Sequence, residues 1–158
     1  MKKLYLLRHA KSSWEDSSLK DIDRPLNNRG KNQVKYMKEF VLKNNIKPDL
    51  ILCSTSNRTK LTVNGIFDKK NCVFIDSLYH ASSTEIMGII KKVEKQIDSL
   101  MIIGHNPGLN EFAYGLINFE NNIQTASLIE IDILIDDWKD FHKNDSKFVS
   151  YTNPPKKK

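Results

Sequence analysis

At 158 residues, with 39% hydrophobic residues, 28% charged residues and a net charge of +6, the chain has the make-up of one ordinary globular domain. No apolar stretch is long enough to span a bilayer, and Met1-Lys2-Lys3 leads into an apolar run too short for a secretory signal, which points to the cytoplasm and away from membranes. The lysines are spread over helix-like segments with no Arg-rich helix, RNA-binding aromatic signature or long basic block, so nucleic acid is not an expected partner.

Leu4 to Leu7 predicts a buried strand, and it ends in Arg8-His9. Apolar residues Val34, Met37, Phe40 and Val41 recur at three- and four-residue spacing and predict a helix over Asn28 to Lys43, stopped by Asn44-Asn45 and Lys47-Pro48. Asp49 to Ser54 reads as a second strand, Arg58 to Phe67 as a helix, and Val73-Phe74-Ile75 as a short strand. Ser82-Ser83-Thr84-Glu85 carries a capping box before a helix expected to run through Ile86, Ile90 and Val93 to about Ile97. Leu100 to Gly104 is the cleanest buried strand, and Pro107-Gly108 opens a helix through Phe112 and Leu116. Ser127 to Ile135 alternates, as Lys147 to Tyr151 does more weakly. These are read as strands with an antiparallel edge or hairpin around Trp138-Lys139-Asp140. Strands alternating with helices predict a three-layer α/β/α sandwich with a mostly parallel sheet. One domain is expected over residues 1–154, and residues 155–158 are expected to be a disordered basic tail. Cys53 and Cys72 lie in strand-like segments without metal-ligand spacing and read as buried, reduced thiols.

Three segments follow predicted strands directly: Arg8-His9, Ser54 to Arg58, and Gly104-His105-Asn106-Pro107-Gly108. In a parallel sheet these loops meet on one edge, where ligands of open α/β folds bind. Two arginines and two histidines would converge there with no obvious acidic neighbour in sequence. Such a cluster is repulsive unless an anion sits within it, and a phosphoryl group suits it. Arginine offers a fixed cationic fork, and a neutral imidazole can attack phosphorus. The carboxylates Glu15, Asp16, Asp21 and Asp23 in the loop after His9 read as solvated.

The run Leu7-Arg8-His9-Ala10 resembles the Arg-His-Gly signature of the histidine phosphatase superfamily, the fold class of the phosphoglycerate mutases. Five further runs resemble the small SixA-type phosphohistidine phosphatase group within it. They are Lys11-Ser12-Ser13-Trp14, Asp23-Arg24-Pro25-Leu26 with Arg29-Gly30, Ser54 to Arg58 with Thr62, Leu78-Tyr79-His80-Ala81-Ser82, and Gly104 to Gly108. The resemblance implies that His9 is the nucleophile and carries a covalent phosphohistidine that water hydrolyses. It also implies that Arg8, Arg58 and His105 hold the phosphoryl oxygens, with His105 protonated when phosphate is bound and Ser12 adding a hydrogen bond. No metal and no cofactor are required, since the arginines supply the charge. His80 stands near the position of the family's acidic residue and is the candidate general acid, with the loop carboxylates Glu15, Asp16, Asp21 and Asp23 as alternatives. Three positions depart from the family pattern: Ala10 for glycine, Asn57 before Arg58, and Gln124-Thr125-Ala126 where a proline-threonine turn is expected.

The implied substrate is a phosphorylated protein, such as a histidine phosphotransfer domain, because no inserted lid is expected between Val73 and Leu100. The alternatives are a small-molecule phosphomonoesterase acting on a small phosphate ester by the same chemistry, and a non-catalytic phosphate- or phosphoprotein-binding module. A metal hydrolase built on His9, His80 and His105 lacks the spacing of any metal motif.

Overall fold

Runs of period two alternate with runs of period 3.6, and the computed structural model, which describes residues 1–156, follows that alternation. Its elements are β1 (Lys2–Arg8), α1 (Asn28–Lys43), β2 (Leu50–Ser54), α2 (Asn57–Ile66), β3 (Cys72–Ile75), α3 (Ser83–Lys91), β4 (Ser99–Gly104), α4 (Gly108–Ile117), β5 (Leu128–Ile133) and β6 (Ser146–Thr152). Three helices start on side-chain caps. Asn27 accepts from the Gly30 amide, Ser56 from Thr59, and Ser82 with Glu85 forms the capping box expected from the sequence.

The six strands form one sheet in the order β3-β2-β4-β1-β5-β6. The first four are mutually parallel, while β5 runs antiparallel to β1 and β6 antiparallel to β5. Successive side chains of a strand point to opposite faces, so Leu4 and Leu6 pack with α3 and α4 while Tyr5 and Leu7 pack with α1 and α2. Each face buries its own cluster, which is why β1 and β4 read as unbroken apolar runs. The result is the expected three-layer α/β/α sandwich.

The route of the chain places the site. From β1 the chain passes through α1 to β2 on one side, and from β4 it passes through α4 to β5 on the other. The two crossovers diverge and open a crevice at the carboxyl ends of β1 and β4, the position where such sheets bind ligands. Arg8 is in register with Gly104 at that end.

Two sequence expectations need adjustment. Helix α3 stops at Lys91 rather than near Ile97. The chain then turns, with the Ile97 amide bonded to the Glu94 carbonyl, so that Val93 and Ile97 still reach the core before β4 begins. The antiparallel hairpin expected around Trp138-Lys139-Asp140 is the β5–β6 pair. Trp138 and Phe141 are fully buried inside its connection, and the Trp138 indole N–H donates to the Ile97 carbonyl at 2.7 Å. Cys53 is buried as expected, but Cys72 is only half-buried because β3 is an edge strand with β2 as its one sheet neighbour. Of the tail, Pro155 and Lys156 line a shallow cleft beside α1, and Lys157 and Lys158 lie outside the described residues. No helix among the described residues is long and apolar enough to cross a membrane.

Candidate active site

His9 follows the last residue of β1, and its loop is tied down on every side. The His9 amide donates to the Gly104 carbonyl of β4, and the Ala126 amide donates to the carbonyls of Arg8 and His9. The Ala10 amide donates to Thr62 Oγ1 on α2, and the Lys11 amide to Gln33 Oε1 on α1. Gly30 lets α1 come this close, since a Cβ there would sit 2.0 Å from the Lys11 carbonyl oxygen.

The His9 ring has a defined tautomer. Its Nδ1 lies 2.7 Å from the Ala10 carbonyl oxygen, which can only accept, so Nδ1 carries the proton and Nε2 keeps its lone pair. Burial, together with the charges of Arg8, Arg58 and Arg24, pushes the His9 pKa down to about 3. At neutral pH the ring is therefore an uncharged nucleophile.

His105 faces it across the crevice, with ring centroids 5.2 Å apart. Its Nε2 is 2.8 Å from Ser54 Oγ, and its Nδ1 is 3.5 Å from Arg58 Nη2. A guanidinium can only donate, so Nδ1 is the accepting nitrogen and Nε2–H donates to Ser54. Burial, then His9 and Arg58, push the His105 pKa down to about 3, so this ring too is neutral without a ligand.

Arg58 is buried and Arg8 half-buried beside the two rings. One nitrogen of Arg8, Nη1, donates to the Ile123 carbonyl at 2.9 Å, while the Nε atoms of both arginines are buried without a hydrogen-bond partner among the described residues. Buried polar atoms are nearly always satisfied, so two orphaned cationic donors in one place call for an oxyanion.

Arg8, His9, Ser12, Arg58, His80 and His105 all line one open pocket of about 230 Å³, with Lys11, Trp14, Arg24, Asn106 and Thr125 completing its wall. Every candidate residue from the sequence is thus at one place. His80 is at the exposed rim with φ 62°, a left-handed conformation uncommon for a side chain, and its ring lies on Tyr79 with centroids 3.9 Å apart. Ser12 Oγ accepts from Arg24 Nη1 at 2.7 Å, which leaves the Ser12 hydroxyl proton for another acceptor. Asn57 donates to the Asp23 carbonyl at 3.1 Å and so fastens α2 to the loop after His9.

Three residues at the site were given no settled role in the pocket by the sequence reading. Asp21 is exposed, at 42%, but it is not an unpaired loop carboxylate. Its Oδ2 pairs with Arg58 Nη2 at 3.0 Å, its Oδ1 with Arg24 Nη2 at 3.1 Å, and Tyr79 Oη donates to it as well. Those partners, Tyr79 first, hold its carboxyl far below the usual carboxylate range. The arginine cluster therefore does have an acidic neighbour. Arg24 is buried, with its guanidinium 3.6 Å from the ring centroid of Trp14, itself 73% exposed at the mouth. The Asp21–Arg24 spacing of three residues could have signalled that pair, but the 37-residue separation of Asp21 and Arg58 gives no local sign.

Comparison with known proteins adds three findings. The family model of the histidine phosphatase superfamily (branch 1) matches residues 4–82. An uncharacterised chloroplastic protein of Arabidopsis thaliana is 30% identical over 152 residues, spanning 88% of this chain and 70% of the relative, and an uncharacterised Mycobacterium tuberculosis protein is 29% identical over 107 residues, spanning 68% and 67%. Among solved structures, an Agrobacterium tumefaciens protein described as the phosphohistidine phosphatase SixA superposes with a TM-score of 0.84 at 26% identity, covering 97% of this chain and 98% of that one. A SixA protein histidine phosphatase complexed with tungstate gives 0.80 at 14% identity, covering 96% and 97%. Phosphoserine phosphatase of Entamoeba histolytica gives 0.70 at 13%, covering 99% of both chains, and these last two are likenesses of fold.

Proposed function

This chain belongs to the histidine phosphatase superfamily (branch 1), a family of phosphatases, and on that premise we propose that it hydrolyses protein-bound phosphohistidine through a covalent intermediate on His9. The observation that carries this reading is the pair of orphaned arginine Nε atoms beside a histidine whose tautomer leaves Nε2 free. In the first step His9 Nε2 attacks phosphorus in line, the P–N bond to the substrate imidazole breaks, and the departing ring takes a proton. Water then attacks the phosphoryl group on His9 and releases inorganic phosphate.

Arg8, Arg58, His105 and the Ser12 hydroxyl hold the three equatorial oxygens, whose charge is greatest in the transition state. Burial and the neighbouring positive groups keep His105 neutral; a phosphoryl dianion beside it opposes both and favours a proton on Nδ1, which then donates to the oxyanion. Asp21 is held ionised and has no proton to give, so His80 at the rim is assigned to the leaving group. An imidazole needs little help to leave once protonated, which fits a rim histidine better than an alkyl phosphate would.

Two features support a protein as substrate. The pocket is open at Trp14 and His80, and the Val73 to Leu100 segment is spent on the rest of β3, short turns and the nine residues of α3, with no inserted lid. The likeness to SixA structures supports the same class. The test is incubation with a phosphohistidine-bearing phosphotransfer domain beside an aryl phosphate, both with EDTA. Loss of the protein-bound phosphate that requires His9 is expected. Turnover of the aryl phosphate alone would move the assignment to a small-molecule phosphatase.

A further inference from the structure

Asp21 is more than a counter-ion that happens to lie near the pocket. Side-chain donors from three separate segments converge on this one residue. Arg58 Nη1 donates to its backbone carbonyl at 2.7 Å and Arg58 Nη2 to its Oδ2 at 3.0 Å. Tyr79 Oη donates to the same Oδ2, Arg24 Nε donates to Oδ1 at 3.1 Å, and Arg24 Nη2 forms an ion pair with Oδ1, also at 3.1 Å. Arg58 belongs to the loop-and-helix after β2, Tyr79 to the segment after β3, and Arg24 to the segment after β1.

The consequences reach both ends of the pocket. With Nη1 and Nη2 engaged, Arg58 cannot swing about its long side chain, and its Nε is the nitrogen left without a partner. Arg24, fixed by Asp21 at two nitrogens and by Trp14 on its face, spends Nη1 on Ser12 Oγ and the Ser13 carbonyl. Because Arg24 can only donate, the Ser12 oxygen is used as acceptor and its own proton is left for the pocket. Tyr79 closes the network: its ring edge meets His105 with centroids 5.4 Å apart, and its face lies 5.9 Å from the Arg58 guanidinium.

We propose that Asp21, latched by Tyr79, is a positioning residue that sets the geometry of two oxyanion donors, Arg58 directly and Ser12 through Arg24. The inference rests on the phosphatase reading above and concerns how that site reaches its transition state. A network of this kind serves the trigonal-bipyramidal arrangement of the reacting phosphoryl group more than a tetrahedral phosphate ion, since donor placement matters most where charge develops. Asp21 also places a negative charge near the bound anion, which weakens ground-state phosphate binding.

The experiment compares wild type with Asp21→Asn, Asp21→Ala and Tyr79→Phe. The readouts are kcat for an aryl phosphate, inhibition by vanadate as the trigonal-bipyramidal mimic, and inhibition by inorganic phosphate. Asp21→Asn is expected to lower kcat by roughly 10- to 100-fold, the scale of a displacement of about 1 Å. Vanadate should weaken by a similar factor, while phosphate inhibition stays within about twofold or tightens as a charge is lost beside the anion. Tyr79→Phe, which keeps the ring and its packing, should show the same pattern at a few-fold. An unchanged kcat in Asp21→Asn would overturn the proposal, as would equal weakening of vanadate and phosphate, the mark of a pocket that has simply collapsed. His9→Ala in the same series separates the two ideas: a fully active His9→Ala protein refutes the phosphatase mechanism, whatever Asp21 does.

Discussion

Gly108→Ala should damage both the stability of the fold and the active site, and the size of the effect can be worked from one distance. Gly108 is the first residue of α4, directly behind the His105 loop, and a Cβ there would lie 2.0 Å from the Ala81 carbonyl oxygen and 3.2 Å from its carbonyl carbon. Carbon meets a carbonyl oxygen at about 3.3 Å, so the two backbones must separate by roughly 1.3 Å. Neither partner is a flexible side chain. One leads through the Leu109-to-His105 hydrogen bond to the candidate oxyanion residue, and the other is joined to His80 and Tyr79. Overpacking of this kind costs about 1–3 kcal/mol, which for a chain of this length lowers Tm by about 2–12 °C. The same shift separates Tyr79 from His105 and should cost roughly 10- to 100-fold in kcat. The matched control is Gly88→Ala in α3, where an added Cβ meets nothing within 4 Å. There the better helix propensity of alanine should add up to about 1 kcal/mol and leave kcat unchanged. Thermal melts and aryl phosphate kinetics on the two variants suffice. Equal Tm shifts of the same sign would refute the reasoning, because only the close approach distinguishes the two glycines.

Three further outcomes are expected. His9 and His105 have folded-state pKa values of about 3 against an unfolded value near 6.5, so the unfolded chain takes up protons in that window that the native one refuses. Stability should therefore fall as pH drops from about 6.5 toward 3, by up to about 1.4 kcal/mol per pH unit for each ring. Denaturant titrations between about pH 6 and 4.5 should show a shallower loss for His9→Ala than for wild type, and identical slopes would contradict the burial account. Arg58→Lys keeps the charge and loses the fork, so kcat should fall by about 100-fold with weaker inhibition by phosphate; a loss under about threefold would show that the geometry of the guanidinium is not used. Trp14→Ala removes an exposed, stacked ring from the mouth and should lower kcat/KM for a phosphoprotein by about tenfold while sparing an aryl phosphate, and equal losses on both substrates would argue against a docking role.

The strands, the helices and the three loops that meet at the crevice follow from local signals: apolar periodicity, the Ser82 capping box and the abrupt Arg8-His9 ending of β1. Helix α1 has the expected limits, Asn28 to Lys43, because its pattern is long and its cap explicit. The end of α3 was not legible, since Val93 and Ile97 continue a helical spacing while reaching the core by a turn. The hairpin around Trp138 was legible from the alternation on either side of it, but the burial of its indole against Ile97 was not, since its neighbours Lys139 and Asp140 are polar. At the site, the residues assigned from the sequence line one pocket, but the pairing of Asp21 with Arg58 and Tyr79 was invisible. Asp21 and Tyr79 come from the segments after β1 and β3, and only the packing of those segments onto α2 gives Asp21 its partners. Long-range ion pairs of this sort leave no periodicity to read.

Direct detection of the phosphoryl group on His9 would test the central claim most sharply. The enzyme would be mixed with a phosphohistidine-bearing phosphotransfer domain, quenched in alkali within milliseconds to seconds, and analysed by intact mass and peptide mapping. The account predicts a transient gain of one phosphoryl group, stable to base, labile to acid and confined to the peptide holding His9, with no such species in His9→Ala. Turnover that proceeds with no phosphorylated enzyme at any time, or with the label on another residue, would contradict it.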